Sequence, residues 1–305
     1  MTNLNPRQAE AVKYIDGPCL VLAGAGSGKT SVITRKIAYL IEECGYQARN
    51  IAALTFTNKA AREMKERVGK LIKGPDGKKS KAAHGLTVST FHNLGLNILR
   101  KEHRAAGFKP GFSIFDAEDA RGLIKELMLR DGDLDTDLLD RVQNQISNWK
   151  NDMLTPRKAL EMAQSPGEQA MAVAYGRYCD ALKAYNSVDF DDLILIPVQL
   201  FESDPELLQR WRKKIRYLLV DEYQDTNSSQ YLLVKLLVGG RAGLTVVGDD
   251  DQSIYAWRGA RPENMSQLKV DFPSLKLIKL EQNYRSTSRI LKVANHLIAH
   301  NPHEF

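Results

Sequence analysis

Residues 19–30 read CLVLAGAGSGKT. The run from Cys19 to Leu22 has the length and apolar character of a buried strand. AGAGSGKT (23–30) follows, with three glycines ahead of a lysine and a threonine. From 29 to 43 the apolar residues Val32, Ile33, Ile37, Leu40 and Ile41 share one helical face. A glycine-rich turn between a strand and a helix is the setting in which this pattern grips phosphate. Glycine lets the backbone turn tightly and aim successive N–H groups at phosphate oxygens, and the helix start adds its positive dipole end. Ala23, Gly24, Ala25, Gly26, Ser27 and Gly28 are therefore expected to wrap a triphosphate. Lys29 is expected to reach its β- and γ-phosphates and Thr30 to hold Mg²⁺, so the expected cofactors are ATP and Mg²⁺. The strict pattern has glycine where Ala23 stands, and alanine is tolerable there if φ is negative.

Outward from this loop, short apolar runs alternate with helical patterns. Ile51–Phe56 reads as a strand, Lys59 to about Lys70 as a charged helix, and Leu86–Thr90 as a third strand. That rhythm predicts a parallel sheet with helices on both faces. GPDGKKSKAAHG (74–85) reads as a mobile Gly- and Lys-rich loop. From about Lys109 to Val188 strand signals vanish, and helices are expected at Ala117–Leu129, Leu138–Trp149, Pro156–Gln164 and Gln169–Tyr185. The acidic run DGDLDTDLLD (131–140) reads as a solvated helix start. Strands then return at Tyr217–Val220, Leu244–Val247 and Leu275–Leu280, with a helix over Ser228–Val238. The fold class is therefore α/β, a P-loop domain with a parallel sheet interrupted by an all-helical insertion.

RYLLVDEYQDTN (216–227) delivers Asp221 and Glu222 at the carboxyl end of a strand, the edge where open parallel sheets bind ligands. Asp221 is expected on Mg²⁺ and Glu222 on the attacking water. An Asp-Glu pair by itself is usually a surface pair; its placement after a strand, together with the glycine-rich loop, changes that reading. VGDDDQSIYAWRGA (247–260) follows a strand expected to lie beside the phosphate-loop strand. Gln252 is placed to sense the γ-phosphate. Tyr255, Trp257 and Arg258 form an aromatic and basic group suited to stacking on unpaired bases, worth ~1–3 kcal/mol per base; the alternative is that Trp257 belongs to a core. In LEQNYRS (280–286), Arg285 reads either as an arginine finger or as a structural arginine, and Tyr284 as a platform for adenine.

Composition narrows the class. The chain has 305 residues, 43% of them hydrophobic, and Lys+Arg less Asp+Glu gives 43 − 37 = +6. A mild basic excess suits an acidic partner such as nucleic acid. Cys19, Cys44 and Cys179 stand far apart with no CxxC or zinc spacing, which predicts a reducing cytosol. No stretch approaches the ~20 apolar residues of a membrane span, and MTNLNPRQAE has no apolar leader core. The expectation is a soluble cytoplasmic protein.

Taken together, these segments resemble the superfamily 1 DNA helicases of the UvrD/Rep/PcrA type, over the whole chain and in the family's motif order. The resemblance implies a RecA-like fold for the P-loop domain. LNPRQAEAV (4–12) resembles the family's adenine-reading motif, implying that Gln8 contacts adenine, and Arg35 resembles a position that flanks the base. LTFTNKAAREMKER (54–67) and STFH (89–92) resemble its single-strand contact motifs, implying that Phe56, Asn58, Thr90 and His92 line the DNA path. VDFDDL (188–193) resembles the segment at the return from the insertion. GDDDQSIYAWRGA is similar to the motif coupling ATP to DNA, and QNYRS to one carrying an arginine finger. Without the resemblance, His92 reads as a core or capping histidine, and Lys59, Arg62, Lys65 and Arg67 as a solvated helix face. The implied organisation is a first RecA-like domain over 1–108 and 189–279, a helical insertion over 109–188, and the start of a second RecA-like domain over 280–305. Family members are longer and carry that second domain, which implies a fragment here. The implied activity is ATP-driven 3′→5′ movement on single-stranded DNA and unwinding at duplex junctions. Two other readings stay open: a nucleotide-dependent DNA-binding module without useful turnover, and a P-loop ATPase unrelated to DNA.

Overall fold

The structure, a computed structural model, describes residues 4–24, 28–72, 81–129, 135–241, 243–249 and 263–280, with the backbone only at 263–265. The chain divides into two compact units. The first comprises Met1–Phe91, Pro205–Thr226 and Val234–Phe305; the second comprises His92–Asp204 and Asn227–Leu233.

In chain order the elements are α1 (Pro6–Lys13), β1 (Cys19–Ala23), α2 (Lys29–Glu42), β2 (Ile51–Thr55), α3 (Asn58–Leu71), β3 (Thr87–Thr90) and α4 (Phe91–Lys101). Next come β4 (Ser113–Phe115), α5 (Ala117–Leu129), α6 (Thr136–Asn151), α7 (Pro156–Met162), α8 (Pro166–Ala184), β5 (Ser187–Asp189) and α9 (Asp192–Ser203). The described elements then continue with α10 (Pro205–Lys214), β6 (Tyr217–Val220), α11 (Ser228–Val238), β7 (Leu244–Gly248), α12 (Glu263–Asp271) and β8 (Lys276–Leu280).

The first unit is built on a six-stranded sheet in the order β3-β2-β6-β7-β1-β8. Every pairing in it is parallel, and β7 lies beside β1 as the sequence predicted. Parallel strands read as continuous apolar runs because both faces are covered. β1 obeys this: all five of its residues are buried. Cys19, Val21 and Ala23 point into one core with Val32, Ile33, Ile37 and Leu40 of α2 and Met64 and Val68 of α3, while Leu20 and Leu22 are buried on the other face. α1 starts at a capping box: the Asn5 side chain accepts from the Gln8 N–H, the Gln8 side chain accepts from the Asn5 N–H, and Pro6 takes the first turn, where a missing N–H costs nothing.

The second unit packs α5, α6, α7 and α8 around Leu123, Ile124, Val142, Ile146, Tyr175 and Leu182. Asp135, Thr155 and Ser165 cap α6, α7 and α8 with side-chain oxygens that accept backbone N–H groups. The expected solvated helix start at 131–140 is met where it is described, since α6 begins behind Asp135. The stretch is not wholly helical, however. β4 and β5 form a two-stranded parallel sheet, Ser113 opposite Ser187. Strands of three residues are too short to carry a periodic signal, and their pairing joins segments distant in sequence. Among the described residues no helix is long and apolar enough to cross a membrane, and the three cysteines form no disulfide.

Candidate functional site

In a parallel sheet all carboxyl ends lie along one edge, so the turns after β1, β6 and β7 share a neighbourhood. β1 ends at buried Ala23. Gly28 is the N-cap of α2 in a left-handed conformation, φ 77°, ψ 28°, which is open to glycine and costs other residues ~1–2 kcal/mol. Lys29 and Thr30 are the first residues of that helix. Ala25, Gly26 and Ser27 lie outside the described residues.

β6 ends at Val220, and Asp221 continues its ladder by donating its N–H to the carbonyl of Leu54. Glu222 follows with φ 51° and ψ 43°, a left-handed backbone at a residue that has a Cβ. Strain of this kind persists only where surrounding contacts over-determine it. Those contacts are on hand. Lys29 Nζ sits 2.9 Å from Glu222 Oε1 and 3.0 Å from Oε2. Gln224 Nε2 donates to Glu222 Oε2 at 2.7 Å. The Glu222 N–H donates to Asp221 Oδ1 at 2.9 Å. Asp249, the first residue past β7, donates its N–H to Gln224 Oε1 at 2.9 Å. The lysine after the glycine-rich turn and the glutamate after β6 therefore meet, although β7 separates their strands.

Electrostatics here are those of a buried acidic site with a cation in reach. Burial, and then the charge of Glu222, push the Asp221 carboxyl up to about 6, while Lys29 pulls it the other way. A desolvated carboxyl in that state is stabilised by any further cation that approaches. Among the described residues no group of three or more His, Cys, Asp or Glu side chains has the arrangement of a metal site. Mg²⁺ at a nucleotide needs fewer: one or two protein oxygens, with phosphates and waters supplying the rest. Asp221, at the end of β6, and Thr30, in the first turn of α2, carry oxygens of the kind required.

Gln8 is buried on α1, and a Cβ at Gly28 would stand 2.5 Å from its Nε2. The expected adenine reader is thus packed against the phosphate-loop turn. Arg35, on α2, donates to Ser31 Oγ at 3.3 Å. Phe56 follows β2, and its ring lies 5.4 Å from that of Phe91. Asn58 opens α3, and Thr90 closes β3 as a buried residue. Phe56, Asn58 and Thr90 stand at the same sheet edge as Lys29 and Glu222. Lys59, Arg62, Lys65 and Arg67 are exposed along α3, the solvated face that their chemistry alone suggests.

His92 belongs to the second unit. Its ring meets Phe190 edge-on at 6.5 Å, and burial lowers its pKa. Phe190 is 48% exposed, unusual for so large an apolar ring. Asp189, beside it in sequence, accepts from a buried Lys150 at 2.8 Å and from Tyr178, and Lys150 also donates to Asp192 at 2.9 Å. Gln252, Tyr255, Trp257, Arg258, Tyr284 and Arg285 lie outside the described residues.

Reading the sequence missed Gln224, Asp249 and Lys150. The Gln224 signal was present, two residues past Glu222 on the same tight turn. Lys150 lies on the apolar face of α6, four residues past Ile146, but a lysine at the end of such a stripe ordinarily reads as solvated.

The chain matches the family model described as "UvrD/REP helicase N-terminal domain" over residues 4–273. It is 61% identical over 304 residues to the ATP-dependent DNA helicase Rep of Escherichia coli (strain K12), covering 99% of this chain and 44% of that protein. It is 60% identical to the Rep helicase of Salmonella typhimurium, again over 99% of this chain and 44% of the relative. To the ATP-dependent DNA helicase PcrA of Leuconostoc citreum it is 46% identical, over 99% of this chain and 40% of the relative. The chain thus spans less than half the length of these relatives. The matched span takes in the glycine-rich turn at 23–30, the acidic end of β6 and the end of β7, and with it the chain belongs to the UvrD/REP helicase family.

Proposed function

We propose that the chain is the N-terminal motor portion of a cytoplasmic helicase: it binds ATP·Mg²⁺ at the carboxyl edge of its sheet and by itself hydrolyses it slowly, while in the full-length protein hydrolysis drives 3′→5′ movement along single-stranded DNA with unwinding at duplex junctions. The observation that carries this reading is the contact of Lys29 Nζ with both oxygens of Glu222, at 2.9 and 3.0 Å. The candidate phosphate-binding lysine and the candidate base are thereby within reach of one bound nucleotide.

The chemistry follows from that placement. Triphosphate enters the 23–30 turn and recruits Lys29 to its β- and γ-oxygens, so the lysine leaves Glu222. Freed from its counter-ion, Glu222 accepts a proton from water as the water oxygen bonds to the γ-phosphorus. The bond from γ-phosphorus to the bridging oxygen breaks, and ADP and phosphate leave. Thr30 and Asp221 would hold magnesium, which when bound supplies neutralisation of the phosphate charge. Gln8, Arg35 and Tyr284 are assigned to the base, and Arg285 is assigned as an arginine finger on the phosphates. Gln252 is assigned to sensing hydrolysis.

For DNA, Phe56, Asn58, Thr90 and His92 are assigned to the strand path, and Tyr255, Trp257 and Arg258 to base stacking. Support comes from the position of Phe56, Asn58 and Thr90 on the nucleotide edge of the sheet and from relatives named DNA helicases. The test is ATP hydrolysis by this chain with and without oligothymidylate, at two salt concentrations. Salt-sensitive stimulation by DNA is expected. Binding of both ligands without turnover would favour the DNA-binding module instead, and indifference to DNA would sink the motor reading.

A further inference from the structure

Gln224 has a place in the site that its chemistry alone does not announce. It is buried, and its two amide ends face partners that permit one orientation. A carboxylate can only accept and a backbone N–H can only donate, so Nε2 must face Glu222 Oε2, at 2.7 Å, and Oε1 must face the Asp249 N–H, at 2.9 Å. The side chain is thus a bridge of two hydrogen bonds from the carboxylate after β6 to the backbone at the end of β7. It grips the same Glu222 oxygen that stands 3.0 Å from Lys29 Nζ. It also sits two residues from the left-handed backbone at Glu222, which requires outside support.

We propose that Gln224 is the positioning residue for Glu222: it ties the carboxylate to the end of β7 and keeps it aimed after Lys29 has moved to phosphate. The proposal rests on the assignment of Glu222 as base in the proposed function. Without the tie, departure of Lys29 would leave a half-buried carboxylate with freedom to rotate, and the geometry of proton transfer would be lost even though nucleotide binds normally. The tie also makes Glu222 answer to the end of β7. The sequence beyond Asp249 runs directly into Gln252 and the aromatic group at 255–258.

The test is a comparison of wild type, Gln224→Met and Gln224→Glu, each as the whole chain, by nucleotide binding, steady-state ATPase and single-turnover hydrolysis. Gln224→Met keeps volume and loses both hydrogen bonds. Gln224→Glu keeps the acceptor for the Asp249 N–H but turns a like charge on Glu222, and it carries the same comparison should the methionine variant fail to fold. The expected result is a loss in kcat of about 10-fold or more with KM for ATP within about 3-fold of wild type. A residue that merely fills space would move the melting temperature and not split kcat from KM. In a Glu222→Gln background, Gln224→Met should change the single-turnover rate less than about 2-fold, because a residue acting through another has no effect once that other is gone. A wild-type kcat in Gln224→Met, or a full further loss in the Glu222→Gln background, would overturn the proposal. Failure of the wild-type chain to bind ATP would instead overturn the assignment of the site, and binding with no turnover would overturn the assignment of Glu222 as its base.

Discussion

Lys29 and Glu222 are locked in an ion pair, Nζ to the two carboxylate oxygens at 2.9 and 3.0 Å, with side-chain exposures of 19% and 33%. If Lys29 holds phosphate as proposed, nucleotide competes with the carboxylate for it. Breaking that pair is a cost charged against binding and refunded to catalysis, since it liberates Glu222.

From this competition the Glu222→Gln variant acquires an unusual expectation. Glutamine is nearly the same size but holds Lys29 more weakly, so ATP·Mg²⁺ should bind as tightly as in wild type or up to about 10-fold tighter. Hydrolysis should fall by on the order of 10²–10⁴-fold with loss of the base. Equilibrium titration with a fluorescent ATP analogue and single-turnover hydrolysis read the two effects separately. Weaker nucleotide binding in Glu222→Gln would contradict the competition.

Lys29→Ala should act in the opposite direction on affinity. Charge-assisted hydrogen bonds to phosphate contribute about 1.5–3 kcal/mol, so affinity should drop about 10- to 100-fold. The same titration checks this, and an unchanged Kd would remove the 23–30 turn from the nucleotide site.

Gly28→Ala tests the turn itself. Alanine at φ 77° is strained, and its Cβ would meet Gln8 Nε2 at 2.5 Å. The backbone term alone is ~1–2 kcal/mol. Adding Gln8→Ala removes the collision but not the strain, so the double variant should recover only part of the lost melting temperature. Full recovery would mean that the left-handed backbone is not required there.

What the sequence disclosed divides along physical lines. β6 was readable to the residue because a strand covered on both faces is a continuous apolar run, and YLLV has no competing pattern. Lys29, Asp221 and Glu222 were readable because their chemistry needs them at fixed offsets from a strand end. Their approach to one triphosphate was expected from those strand ends, as was β7 beside β1; the direct Lys29–Glu222 contact was not, since no local pattern encodes a pairing of side chains 193 residues apart. Gln224 and Lys150 were hidden for a related reason: each is polar, and burial of a polar side chain is decided by partners from distant segments.

Lys150 permits a stability prediction. It is 1% exposed and bonded to Asp189 and Asp192. The two carboxylates hold its ammonium charged, its pKa well above the ordinary lysine value despite the opposing effect of burial. Lys150→Met would leave two acids packed together without their cation, which costs ~3–5 kcal/mol in comparable buried pairs. The expected outcome is a large fall in melting temperature with hydrogen exchange accelerated in α6, β5 and α9. A melting temperature within a degree of wild type would show that the cluster relaxes at no cost.

Asp191 makes the neighbourhood pH-sensitive. Burial, and then the charge of Asp189, push its carboxyl up to about 7, against the lowering effect of a hydrogen bond with Ser147 and the charge of Lys150; Asp192 adds repulsion. In the unfolded chain the same group titrates near ~3.9. Between those values the folded state binds more protons than the unfolded state, so this group's contribution to stability falls as pH rises from about 4 to about 7 and is constant above. Asp189 works the other way, its pKa being lowered by Lys150, and the comparison with a single variant cancels it to first order. Asp191→Asn keeps an acceptor for Ser147 and has no charge to bury. It should match wild type near pH 4 and melt a few degrees higher at pH 8, corresponding to ~1–2 kcal/mol after allowance for solvent screening at a partly exposed carboxyl. Melting curves of the two proteins from pH 4 to pH 8 give the answer. A constant offset across that range, or a variant less stable at pH 8, would mean that Asp191 is already content as an anion in the folded protein.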